Sequence, residues 1–130
     1  MEEPFRNLTR PELDTLRRLL EEPFDGREEL IRQLEGAQVR RIDQNGSLAF
    51  RVTGPTARIY TRVPVEGEAA DGDVPVHVLL HVVDGRISEL EIHRNDLSAV
   101  VDFPNPAKLS VTLNAPRKTL SHLQRDRHSI

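Results

Sequence analysis

Cysteine and tryptophan are absent from the 130 residues, and methionine and tyrosine occur once each. Without cysteine there can be no disulfide, thiolate zinc site, iron–sulfur ligation or cysteine nucleophile. No apolar run approaches the ~20 residues that a membrane helix needs. Met1-Glu2-Glu3 lacks the basic and apolar regions of a signal peptide, so a cytoplasmic location is expected. Lysine is scarce: arginine supplies 16 of the 18 basic residues. That bias fits a GC-rich coding composition. It also enriches the side chain suited to bidentate contacts with carboxylate or phosphate.

The length fits one domain with a single core. The net charge of −3 conceals an asymmetry, with residues 1–102 strongly acidic and residues 103–130 basic. A negative body argues against nucleic acid as the main partner, because phosphate contacts need a positive field. The organisation expected is a single α+β domain over 1–114, followed by a basic tail over 115–130. That tail offers only Leu120, Leu123 and Ile130 for burial.

Thr9-Arg10-Pro11-Glu12 has the form of a capping box, with proline in the first turn where its missing N–H costs nothing. Leu13, Leu16, Leu19 and Leu20 follow at helical spacing, and Pro23 stops the run, predicting a helix over about 10–21. Asp25 and Glu28 suggest a second capping box. Leu30, Ile31 and Leu34 give the stripe, and Gly36 gives the stop. The short link predicts an antiparallel helical hairpin with Phe24 plugging its end.

From Ala37 the period changes to that of strands. Gln44-Asn45-Gly46-Ser47 reads as a hairpin turn pairing Ile42 with Leu48. Ala57, Ile59, Thr61, Val63 and Val65 alternate with Arg58, Tyr60 and Arg62 as in a half-buried strand. Glu66 to Asp73 has no period and reads as a mobile loop. The clearest hairpin is Val74–Val83 with Arg86–His93 around Asp84-Gly85. A two-residue turn there would set Leu80 against Glu89 and mix the faces. A three-residue loop pairs Val82 with Arg86, Leu80 with Ser88, Val78 with Leu90 and Val76 with Ile92, which is the register expected for a one-sided sheet. Lys108–Asn114 alternates as a last edge strand. The fold expected is α+β: an N-terminal helical hairpin packed on an antiparallel sheet of about five strands.

The run VPVHVLLHVVDGRISELEIHR, with LTRPELDTLRRLLEEPF and VPVEGEA before it, resembles a family of small bacterial proteins catalogued as a domain of unknown function. The resemblance spans about residues 5–95 and is most specific in the hairpin. Members commonly read Tyr-Arg-Glu-Asp-Gly after the last strand, where this chain has His93-Arg94-Asn95-Asp96-Leu97. The family brings no catalytic residues to carry over. What it implies is proximity of relatives to toxin and immunity loci.

Chemistry concentrates between residues 66 and 93. Glu66, Glu68, Asp71, Asp73, Glu89 and Glu91 could form an acidic docking face for a basic protein partner, or simply keep the protein soluble. In the expected register His77 lies opposite Glu91, with His93 two residues on. These three side chains could hold a divalent metal or act as a base pair, or could be a solvated sheet face. Arg58, Tyr60 and Arg62 could clamp a small anion or form surface ion pairs. Ser110, Thr112, Ser121 and His122 lie in no nucleophile motif. The function expected is non-catalytic protein binding, of the immunity or antitoxin kind, with no cofactor. A small metal protein or enzyme using the His/Glu cluster is the alternative, and a homodimer through a sheet face or edge is a third form.

Overall fold

The computed structural model describes residues 3–116. The tail expected over 115–130 therefore lies outside the described residues from 117 onward, and with it Ser121 and His122. Ala115 is buried and the Pro116 carbonyl accepts from the Asp25 N–H.

Helix α1, Arg10–Leu19, starts as its capping box requires. The Thr9 hydroxyl accepts from the Glu12 N–H at 3.4 Å, and the Glu12 carboxylate accepts from the Thr9 N–H at 2.9 Å. Both Glu12 oxygens also take the Arg6 guanidinium, at 2.8 and 2.9 Å. Burial alone would push the Glu12 carboxyl up, but the Arg6 bonds and the Thr9 N–H outweigh it and hold the carboxyl below its ordinary 4.5.

Helix α2, Arg27–Leu34, begins on Gly26 at φ +94°, with no side-chain cap on its first turn. The capping role expected of Asp25 is thus displaced by one residue. The cause is packing: a Cβ on Gly26 would stand 2.6 Å from Ile59, so the chain turns here on glycine alone. Phe24 is fully buried, as expected.

Among the described residues, seven strands form one antiparallel sheet: β1 (Arg6–Asn7), β2 (Gln38–Arg41), β3 (Leu48–Arg51), β4 (Val65–Asp71), β5 (Val74–Val83), β6 (Arg86–Arg94) and β7 (Ser110–Leu113). Their order is β1-β2-β3-β6-β5-β4-β7. Both helices bury leucines into one core with Val39, Leu48, Val65, Val78, Leu80, Leu90 and Ile92 on one sheet face. The α+β class is as expected, but the sheet is larger than five strands. The helices form no clear hairpin: α1 packs against β4 and a 3-10 turn at Pro106–Lys108, and α2 against β6. No helix among the described residues is long and apolar enough to cross a membrane.

Three expectations are corrected. Glu66–Asp71 is strand β4, not a mobile loop. Its Gly67 faces the core, where an added Cβ would meet Leu19 and Leu109 at 3.2 Å, so the glycine marks close packing instead of a loop. Residues 57–63 form no strand. They cross over the tip of the β5–β6 hairpin from β3 to β4, burying Ala57 and Ile59 alternately without a lateral ladder. In the first hairpin Arg41 pairs with Leu48, one step from the expected register, because the Asp43 carboxylate accepts from Asn45 N–H and Ser47 N–H and widens the loop.

The central hairpin also departs from both registers considered. Asp84 and Gly85 form a two-residue turn, both at positive φ (52° and 75°), pairing Val83 with Arg86 and Val82 with Ile87. A bulge between His81 and Val82 then takes up Ser88, so that His81 pairs with Glu89, Leu80 with Leu90 and Val78 with Ile92. The one-sided face survives because the bulge repairs the pattern that a plain two-residue turn would spoil.

Gln33 joins α2, the crossover and the hairpin tip. Its side chain is fully buried, and its amide N–H group donates to Pro55 O at 2.7 Å and to Gly85 O at 2.9 Å. Its oxygen accepts from Ile87 N–H at 2.9 Å. Gln33→Leu strands Pro55 O and Ile87 N–H, and should cost about 2–4 kcal/mol in chemical denaturation. A loss under ~1 kcal/mol would show that the amide network is replaceable. The depressed Glu12 carboxyl contributes stability that is present above pH 4.5 and disappears as pH falls through its lower folded value. Glu12→Gln should therefore lag the parent in denaturation at pH 7, with the gap closing below pH 4.5; a gap independent of pH contradicts the assignment.

Candidate functional site: the open face of the sheet

Because opposed residues in a ladder point to the same side, the face away from both helices can be read directly from the pairings. β4 places Glu66 and Glu68 there, opposite Leu79 and His77 of β5. β6 places Glu89, Glu91 and His93 there, opposite His81, Leu79 and His77. β7 adds Thr112 and Ser110 beside Glu66 and Glu68. On the other flank, Gln38 and Arg40 of β2 lie opposite Arg51 and Ala49 of β3, and Ala49 lies opposite Glu89. The guanidinium groups of Arg40 and Arg51 sit 4.7 and 4.4 Å from the centre of the Phe5 ring.

Four of the six expected docking carboxylates share this face. Asp71 does not: its carboxylate is 9% exposed, takes Arg94 at 3.0 Å, and accepts from the Val101 N–H at 3.0 Å. Asp73 is exposed in the β4–β5 turn. The expected metal trio is rearranged. His77 lies opposite His93, with ring centres 5.1 Å apart, and not opposite Glu91. His77 instead faces Asn95 Oδ1 at 3.3 Å and Glu68 at 3.8 Å, while His93 Nδ1 lies 3.2 Å from Glu91. Among the described residues, the set with ligand atoms within 4.8 Å of one another is His81, Glu89 and Glu91. The expected register, with Val82 against Arg86 and Leu80 against Ser88, leaves His81 opposite Ile87 and away from the glutamates, whereas it pairs with Glu89. The Asp-Gly turn with its bulge was the signal that would have placed it.

The wiring of His81 decides its chemistry. Arg62, carried by the crossover segment, donates from Nε to His81 Nδ1 at 2.9 Å. A guanidinium cannot accept, so Nδ1 is the acceptor nitrogen and Nε2 carries the proton. Nε2 then donates to Glu91 at 2.8 Å. In this tautomer the Nε2 lone pair is used by its proton, whereas a metal ligand needs it free and a carboxylate or carbonyl behind the other nitrogen. Arg62 is thus placed to oppose metal binding at His81. Of the two uses open to Arg58, Tyr60 and Arg62, the anion clamp is not assembled: Arg62 turns to His81 and Tyr60 stands 94% exposed.

A small α+β protein with a single seven-stranded sheet, helices on one side and a charged face on the other, is the class the geometry defines. The chain belongs to the family described as a domain of unknown function (DUF6984), matched over residues 5–104. No curated protein and no solved structure matches it. The matched span includes the turn after β6, where this chain holds Leu97 at φ +64° with its side chain exposed.

Removing the Arg62 donor lets His81 change tautomer and present Nε2. By calorimetry with zinc, Arg62→Ala should bind at least about tenfold more tightly than the parent, the scale of one lost hydrogen bond to a charged donor. Equal behaviour of the two proteins rejects the tautomer lock.

Proposed function

We propose that this protein is a non-catalytic protein-binding module that docks a basic partner on the acidic half of its open sheet face. The observation that carries this reading is the placement of β4. It sets Glu66 and Glu68 on the same face as Glu89 and Glu91, on the two strands that flank β5, roughly 10 Å apart, where their fields add. The hydrogen-bonded state of His81 favours binding over chemistry, since its two ring nitrogens are both committed. An immunity or antitoxin role is the specific form proposed, in which the carboxylate rows occupy the basic surface of a toxin. Phosphate mimicry on a nuclease is one such use.

The test is heteronuclear NMR of the labelled protein titrated with an oligolysine peptide. Amide shifts should centre on Glu66, Glu68, Glu89 and Glu91, weaken in ~0.5 M salt, and vanish when all four glutamates are changed to lysine. Shifts scattered over every acidic residue of the surface, or centred on the helices, reject the docking face.

A further inference from the structure

The open face is not uniformly acidic; its charges are segregated. The β4–β5–β6 half carries Glu66, Glu68, Glu89 and Glu91. The β2–β3 flank carries Arg40 and Arg51, held beside the Phe5 ring. Arg86, at the hairpin tip on the same side as Val83, keeps a guanidinium nitrogen shut from solvent with no acceptor among the described residues. A surface with one acidic and one basic patch is self-complementary. A two-fold axis in the plane between two such faces, midway between the patches, lays each basic flank on the other copy's acidic half. That is the condition for an isologous dimer.

We infer that the occupant of this face is a second copy of the same chain, paired sheet to sheet through Arg40 and Arg51 of each copy and the β4–β6 glutamates of the other. This rests on the docking reading above: the acidic half that takes a basic partner takes the basic flank of a second copy when no such partner is bound. The size of the face is compatible. At roughly 4.8 Å between strands and 3.4 Å per residue, the seven strands present about 650 Å². Standard interfaces bury about 800 Å² per partner. The dimer is therefore a moderate one, held largely by charge, and sensitive to salt. The long arginine and glutamate side chains supply the reach between the sheets, and His77, Leu79 and His81 of β5 lie within the acidic half, between its two carboxylate rows.

The experiment is sedimentation velocity on the full chain and on two charge-reversed forms. In ~0.1 M salt the parent should form a dimer that dissociates in the micromolar range, and at least about tenfold more weakly in ~0.5 M salt. Glu66→Lys with Glu68→Lys should give a monomer, as should Arg40→Glu with Arg51→Glu. Mixing the two variants should restore a dimer, because each intact patch then meets its opposite and each reversed patch meets the other reversed patch. Restoration also shows that both variants are folded. A parent that stays monomeric at ~0.2 mM overturns the inference, and so does a dimer indifferent to either reversal or a mixture that stays monomeric. A monomeric parent that still shows peptide shifts centred on the four glutamates leaves the docking face standing and rejects only the second copy.

Discussion

One buried amide holds this architecture in register. The β3–β4 connection must travel from one side of the central hairpin to the other, and so passes over its tip carrying backbone polar groups out of water. Backbone groups in that position need partners. The Ala57 N–H finds Gly85 O at 2.9 Å, and Gln33 from α2 satisfies Pro55 O and Ile87 N–H together. A helix, a crossover and a turn therefore meet at one side chain. What the crossover does further along, including setting Arg62 against His81, follows from its being pinned at this point.

The helices were legible because their signals are local. The Thr9–Glu12 box and the leucine stripe need nothing beyond ten residues of chain, and α1 forms where they place it. The sheet was legible in its pattern and less so in its ladder. Ala57 and Ile59 are buried in alternation, yet no strand runs beside them, because alternation reports which side of an extended chain faces the core and not whether a neighbour pairs with it. Gly67 misled in the other direction. A glycine among acidic residues reads as a loop, whereas here it is the thin point of a strand under Leu19 and Leu109. Gln33 left one faint trace, a polar residue three positions after Leu30 on the buried stripe of α2, and its partners lie some 22 and 54 residues away in sequence.

The candidate face shows how a two-residue shift of register keeps each side chain on its face and still changes the chemistry. At Asp84-Gly85 the protein uses the shorter turn with an extra residue in the partner strand. The apolar face comes out one-sided, as expected, because the bulge restores it. The polar face does not: His77 moves from Glu91 to His93, and His81 moves into the reach of Glu89 and Glu91. The core constrains side, and side alone; pairing along the strand is set by the bulge. A similar economy operates at Ser47, whose buried hydroxyl takes the Ile92 N–H at 2.8 Å just beyond the last β3–β6 pair, extending the junction with a side chain where the backbone ladder has ended.

The bare backbone at Gly67 has a bearing on how the chain assembles. Helix α1 is synthesised early, but part of its seat is a strand made nearly fifty residues later, and that strand is held in turn by β5. Contacts of such separation form late, after the ends of a long loop have been brought together. The β5–β6 hairpin closes through a two-residue turn and has no such delay. During synthesis helix α1 therefore waits with its leucines uncovered while the centre of the sheet is still being made.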